Sequence, residues 1–67
     1  MTPKEKAKEI YTTFKFELDF YIDKKNSALC AKYFSMFSVN QILKAHLYDD
    51  AENKYWYEVI KEIQRIG

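Results

Sequence analysis

The chain has 67 residues, a net charge of +1, and a single proline, glycine, cysteine and histidine. This length gives one domain near the lower limit at which a chain can bury an adequate core. One cysteine and one histidine leave no intramolecular disulfide and no zinc tetrad to staple it, so neither a metal nor any other cofactor is expected, and association of copies is the remaining route to extra stability. The near-neutral balance excludes a general nucleic-acid binder that relies on counterion release.

Six tyrosines, five phenylalanines and one tryptophan are more aromatic surface than so small a core easily hides, and Tyr and Trp favour interfaces and ligand pockets. The pattern "TPKE" opens a helix: Thr2 is the N-cap, Pro3 the first helical residue, and Glu5 completes a capping box. Ala7, Ile10, Tyr11 and Phe14 then recur at three-and-four spacing, which places one stripe against a partner and leaves Lys4, Lys8 and Glu9 in water. The following "FKFELDFYID" fits two periods. Phe14, Phe16, Leu18, Phe20 and Ile22 alternate as in a strand, whereas Phe14, Leu18, Tyr21 and Ile22 continue the helical stripe. An isolated strand has no partner elsewhere in the chain, so the first helix is expected over about 3–22, with an extended segment after Phe14 as the alternative.

The polar "DKKNS" at 23–27 is the first connector, with Asn26 or Ser27 as the cap of a second helix over about 27–46. Apolar residues cover well over half of this helix's circumference, including Leu29, Cys30, Tyr33, Phe34, Met36, Phe37, Val39, Ile42, Leu43 and Leu47. An ordinary surface helix buries one stripe. The other two helices can cover one side each, and a second subunit is expected on the remainder, with Phe34, Met36 and Phe37 as interface residues. "YDDAEN" at 48–53 is the second connector, with Asp49 or Asp50 as cap. The third helix is expected over about 51–66, with Trp56, Val59, Ile60, Ile63 and Ile66 as its stripe and pairs such as Lys54–Glu58 and Glu62–Arg65 on the other face. The expectation is an all-α, three-helix hairpin bundle, assembled as a helical homo-oligomer.

Chemistry is sparse. Glu17 and Asp19 point about 200° apart on a helix, and Ser35 and Ser38 lack a visible base and orienting acid beside the lone His46, so no catalytic residue is assigned and the chain reads as non-enzymatic. Asp49 and Asp50 read as a helix cap and not as metal ligands, and Cys30 as a packed thiol. Charge is more informative. From Lys24 to Tyr48 there is no acid, while Lys24, Lys25, Lys32, Lys44 and His46 lie there, and Lys4, Lys6 and Lys8 sit at the front. Such a surface either keeps an apolar helix soluble or receives a negatively charged partner. Tyr11, Tyr33, Tyr55, Trp56 and Tyr57 lie among these lysines and could stack a nucleobase or fill core and interface. The first nine residues carry no apolar leader region, and the uncharged run Tyr33–Leu43 is too short to span a bilayer, so a cytoplasmic protein without membrane contact is expected.

The front "TPKEKAKEI", the centre "AKYFSMFSVNQIL" and the end "YWYEVIKEIQRI" together resemble a recurrent group of small phage-encoded helical proteins. These open with Thr-Pro-Lys-Glu-Lys-Ala-Lys-Glu-Leu and close with Tyr-Trp-Gln-Glu-Val-Lys-Gln-Glu-Ile-Glu. The likeness covers roughly 50 of the 67 residues and leaves 15–27 as the variable part. Two departures fall on the middle helix: Phe34 stands where the group has Cys, and Asn40–Gln41 where it has Asp–Glu. The resemblance implies a phage accessory protein acting in the cytoplasm of the infected bacterial host and supplies no reaction. By analogy with oligomeric phage sponges of this size, the expected role is to bind a nucleotide-derived immune signal, an anionic small molecule, between subunits, with Tyr11, Lys32, Tyr33 and Trp56 as contacts. The alternative is a protein-interaction module that inhibits or redirects a host protein.

Overall fold

The computed structural model describes residues 1–45 and 50–66 and contains three helices: α1, Pro3–Leu18; α2, Lys24–Ala45; and α3, Asp50–Arg65. They run up, down and up, and each packs on both others. No strand is present among the described residues, which removes the extended alternative after Phe14. The bundle measures 39 × 19 × 16 Å with a radius of gyration of 12.3 Å, longer than the ~11 Å of a near-spherical chain of this size.

Local chemistry fixes the helix ends. Thr2 accepts the Glu5 backbone N–H at 3.2 Å, and the Glu5 carboxylate accepts the Thr2 N–H at 3.0 Å, so the capping box is complete. That backbone donor holds the Glu5 carboxyl below its ordinary value. α1 stops at Leu18, four residues before the expected boundary. The backbone tightens there: the Phe20 N–H reaches the Glu17 carbonyl at 3.2 Å and the Tyr21 N–H the Leu18 carbonyl at 3.0 Å, the short-range pattern that closes a helix end.

α2 begins at Lys24, three residues earlier than expected, because Asp23 is the cap. Its carboxylate accepts the Asn26 backbone N–H at 3.2 Å and the Asn26 side-chain amide at 2.7 Å, and both hold the Asp23 carboxyl below its ordinary range. Neither Asn26 nor Ser27 is the cap. Ser27 is buried, and its hydroxyl donates to the Asp19 carboxylate, which also receives Lys15 at 3.1 Å. The Ser27 contact ties the end of α1 to the start of α2, and Ser27 and Lys15 together depress the Asp19 carboxyl. At the far end of α2, His46, Leu47 and the candidate cap Asp49 lie outside the described residues. α3 starts at Asp50, one residue before the expected boundary, with Asp50 and Glu52 in its first turn.

The core joins all three helices. Ala7, Val39, Val59 and Ile63 are fully buried, with Ile10, Met36, Leu43, Tyr55, Trp56 and Ile60 packed around them. On α2 the inner stripe is Ser27, Ala31, Ser35 and Val39, each four residues from the last and each fully buried. The large side chains of α2 face outward: Leu29, Tyr33, Phe34 and Phe37 are 53%, 62%, 47% and 62% exposed. Small residues let the backbones approach closely, and the buried Ser35 hydroxyl is satisfied at 2.6 Å by the Ala31 carbonyl one turn earlier. Met36, expected at a subunit interface, is half-buried and packs against the chain's own core. Phe34 is half covered through its contact with Phe14, ring centroids 6.0 Å apart, while Phe37 is open.

Candidate functional site

Helix α1 carries Lys4, Lys8 and Tyr11 along one flank, at four- and three-residue spacing. In the bundle this flank faces the last turns of α3 across a groove of about 590 Å³, lined by Lys4, Lys8, Tyr11, Glu62, Arg65 and Ile66 among others. Tyr11 and Ile66 also form one wall of a second recess of about 360 Å³, whose other wall is the start of α2: Lys25, Asn26, Ala28, Leu29 and Lys32. Both volumes fall within the roughly 300–1,000 Å³ of small-molecule sites.

Tyr11 therefore stands between two hollows that share a cationic rim. Lys4, Lys8 and Lys25 extend into water and Lys32 is half buried. None of the four has a carboxylate partner among the described residues. Arg65 is held at 2.6 Å by Glu62, the single acid on the lining of either hollow. The other lysine at the front is engaged differently: Lys6 pairs with Glu9 at 2.9 Å, which raises its ammonium above its ordinary value. The arrangement offers an aromatic edge, aliphatic contact from Ile66 and Leu29, and several unpaired ammonium groups. It can hold an anion that carries a ring or other apolar body.

Of the four contacts expected from sequence, the structure brings Tyr11 and Lys32 together and leaves the other two apart. Tyr33 projects from the outer side of α2. Trp56 packs against the core, edge-on to Tyr55 at 5.2 Å, and borders a cleft on the opposite flank of α1 with Ile10, Phe14, Ser38 and Ile42. Lys4, Lys8 and Lys25, which the sequence offers only as part of a basic surface, complete the site together with Arg65, and the spacing of Lys4, Lys8 and Tyr11 already put those three on one helical flank. The remaining hollows are shallower in chemistry: one follows the outer side of α1 along Glu5, Glu9, Phe16 and Glu17, and one lies between Phe37, Lys44 and Tyr57.

The residues weighed for catalysis have structural surroundings. Asp19 holds the α1–α2 turn, Ser35 bonds its own helix, Ser38 borders the cleft beside Trp56, and Glu17 is exposed; His46 lies outside the described residues. Among the described residues no group of three His, Cys, Asp or Glu side chains could hold a metal ion, and no helix is long and apolar enough to cross a membrane. No protein-family model, curated protein or solved structure matches the chain.

Proposed function

We propose that this chain is a non-enzymatic, self-associating binding protein that holds a small phosphate-bearing, nucleotide-like molecule against Tyr11. The observation that carries this reading is the placement of Tyr11 between two hollows whose rims bring together Lys4, Lys8, Lys25 and Lys32, with no carboxylate partner among the described residues. An aromatic face accepts a base and adjacent ammonium groups accept phosphates. The hollows belong to a single chain, so a neighbouring copy is not needed to form them. In the phage setting that the sequence resemblance implies, the activity would be sequestration of a nucleotide immune signal in the cytoplasm of the infected host.

Thermal unfolding in the presence of cyclic dinucleotides and ADP-ribose derivatives tests the reading. A ligand at ten times its Kd stabilises the folded chain by roughly 1.4 kcal/mol, which raises the midpoint of a domain this small by about 6–10 °C. Tyr11→Ala and Lys32→Glu are each expected to abolish the shift while leaving the ligand-free midpoint close to that of the parent. A panel in which no nucleotide moves the midpoint overturns the proposal. A second reading, a module that inhibits or redirects a host protein, is favoured by the large exposed side chains at Phe16, Phe20, Leu29, Tyr33 and Phe37.

A further inference from the structure

The bundle turns two chemically opposite faces to solvent. On α2, Leu29, Tyr33 and Phe37 each lie two positions, about 200° of helix, from a residue of the buried stripe, so they form one outward ridge. No acid occurs anywhere on α2, and exposed Lys25 and Lys44 lie toward the two ends of this ridge. Tyr57 of α3 widens it beside Phe37. On α1 the outward side is reversed in sign. Phe16 lies nine positions, about 180°, from buried Ala7, and is 64% exposed. Around it are Glu5, Glu9 and Glu17, with Lys8 at the edge. Phe20 stacks edge-to-face on Phe16 at 5.3 Å and extends the apolar part into the turn.

The geometry points to a head-to-tail contact between copies, in which the acidic, Phe16–Phe20 face of α1 in one chain covers the basic, Leu29–Tyr33–Phe37 face of α2 in the next. A symmetric α2-on-α2 pair would bury the same aromatics but bring lysines against lysines, with no acid on either helix to offset them. The α1-on-α2 arrangement pairs aromatic with aromatic and carboxylate with ammonium. Such a contact is heterologous: each copy uses two different faces, so the assembly closes as a ring or continues as a chain. This inference rests on the self-association in the proposed function, and it meets the ligand reading at Lys25 and Leu29, which also line the α2 side of the recess beside Tyr11.

Two charge-reversed proteins test it, with mass followed against concentration by light scattering in the absence of ligand. Glu9→Lys/Glu17→Lys makes both faces basic, and Lys25→Glu/Lys44→Glu makes both faces acidic. Each alone is expected to stay at single-chain mass at concentrations where the parent assembles. Mixed in equal amounts they are expected to recover the parent's mass, because every contact in an alternating assembly is again complementary; this recovery also shows that both variants fold. If the parent assembles and neither variant changes its mass, other faces form the contact and the inference fails while self-association stands. If Glu9→Lys/Glu17→Lys is silent and Lys25→Glu/Lys44→Glu alters assembly alone, the α2 pair is symmetric and the inference fails. A parent that remains a single chain at every concentration overturns both the inference and the self-association beneath it.

Discussion

The two sides of α2 invert the usual relation between size and burial. Its inner side is built of Ser27, Ala31, Ser35 and Val39, and its outer side carries Leu29, Tyr33 and Phe37. Inside, the requirement is a close approach of three helices, which short side chains permit and bulky ones prevent. Outside, the large side chains contribute little to a single chain's fold and are available for association. The teaching is that, on a helix apolar all round, the narrowest stripe marks the core.

Substitutions on the two sides of α2 separate these roles. Ala31→Leu forces three additional heavy atoms into a fully buried position and is expected to cost about 3 kcal/mol, read as a lower urea midpoint at unchanged slope. Ser35→Ala removes a hydroxyl already satisfied by its own helix and keeps the volume, so a loss of no more than about 1 kcal/mol is expected; an equal loss from both variants would show that size is not what the inner side selects. Acid is expected to act at the turn between the helices. Asp19 and Asp23 are both held below their ordinary value of 3.8, so they contribute stability that is full above that value and is lost as pH falls through the lower folded-state values. Asp19→Asn is expected to reduce the change in thermal midpoint between pH 5 and pH 2. Smallest of all, Tyr33→Ser should alter single-chain stability by no more than about 0.5 kcal/mol, while weakening any concentration-dependent assembly; a large loss of stability at low concentration would show that the outer side belongs to the fold.

The same contrast explains what was legible in the sequence. α3 was legible because Val59 and Ile63 stand on a single stripe with Lys61, Gln64 and Arg65 exposed around it, and the period alone locates the buried side. The start of α1 was legible because the Thr2–Glu5 capping box is local chemistry. The inner side of α2 was not, since hydrophobicity ranks Phe37 above Ser35 and only packing distance reverses the order. The end of α1 was hidden because Phe14–Ile22 satisfies two periods at once, and its stop at Leu18 depends on Asp19 meeting Ser27 eight residues away. At the candidate site, Tyr11 and Lys32 were within reach of sequence reasoning as an aromatic and a cation. That they share a recess with Lys25 and Ile66, and that Tyr33 and Trp56 do not, follows from the rotation of each helix about its axis.

The Asp19–Ser27 contact has a kinetic consequence. It links residues that are near neighbours along the chain, so the first two helices can dock after closing only a short loop, and the third follows as the next segment in sequence. A topology this local places the chain among domains that fold within microseconds to milliseconds. The small residues beneath the outward row of aromatics are then enclosed early, and the aromatics themselves remain on the surface of the folded chain.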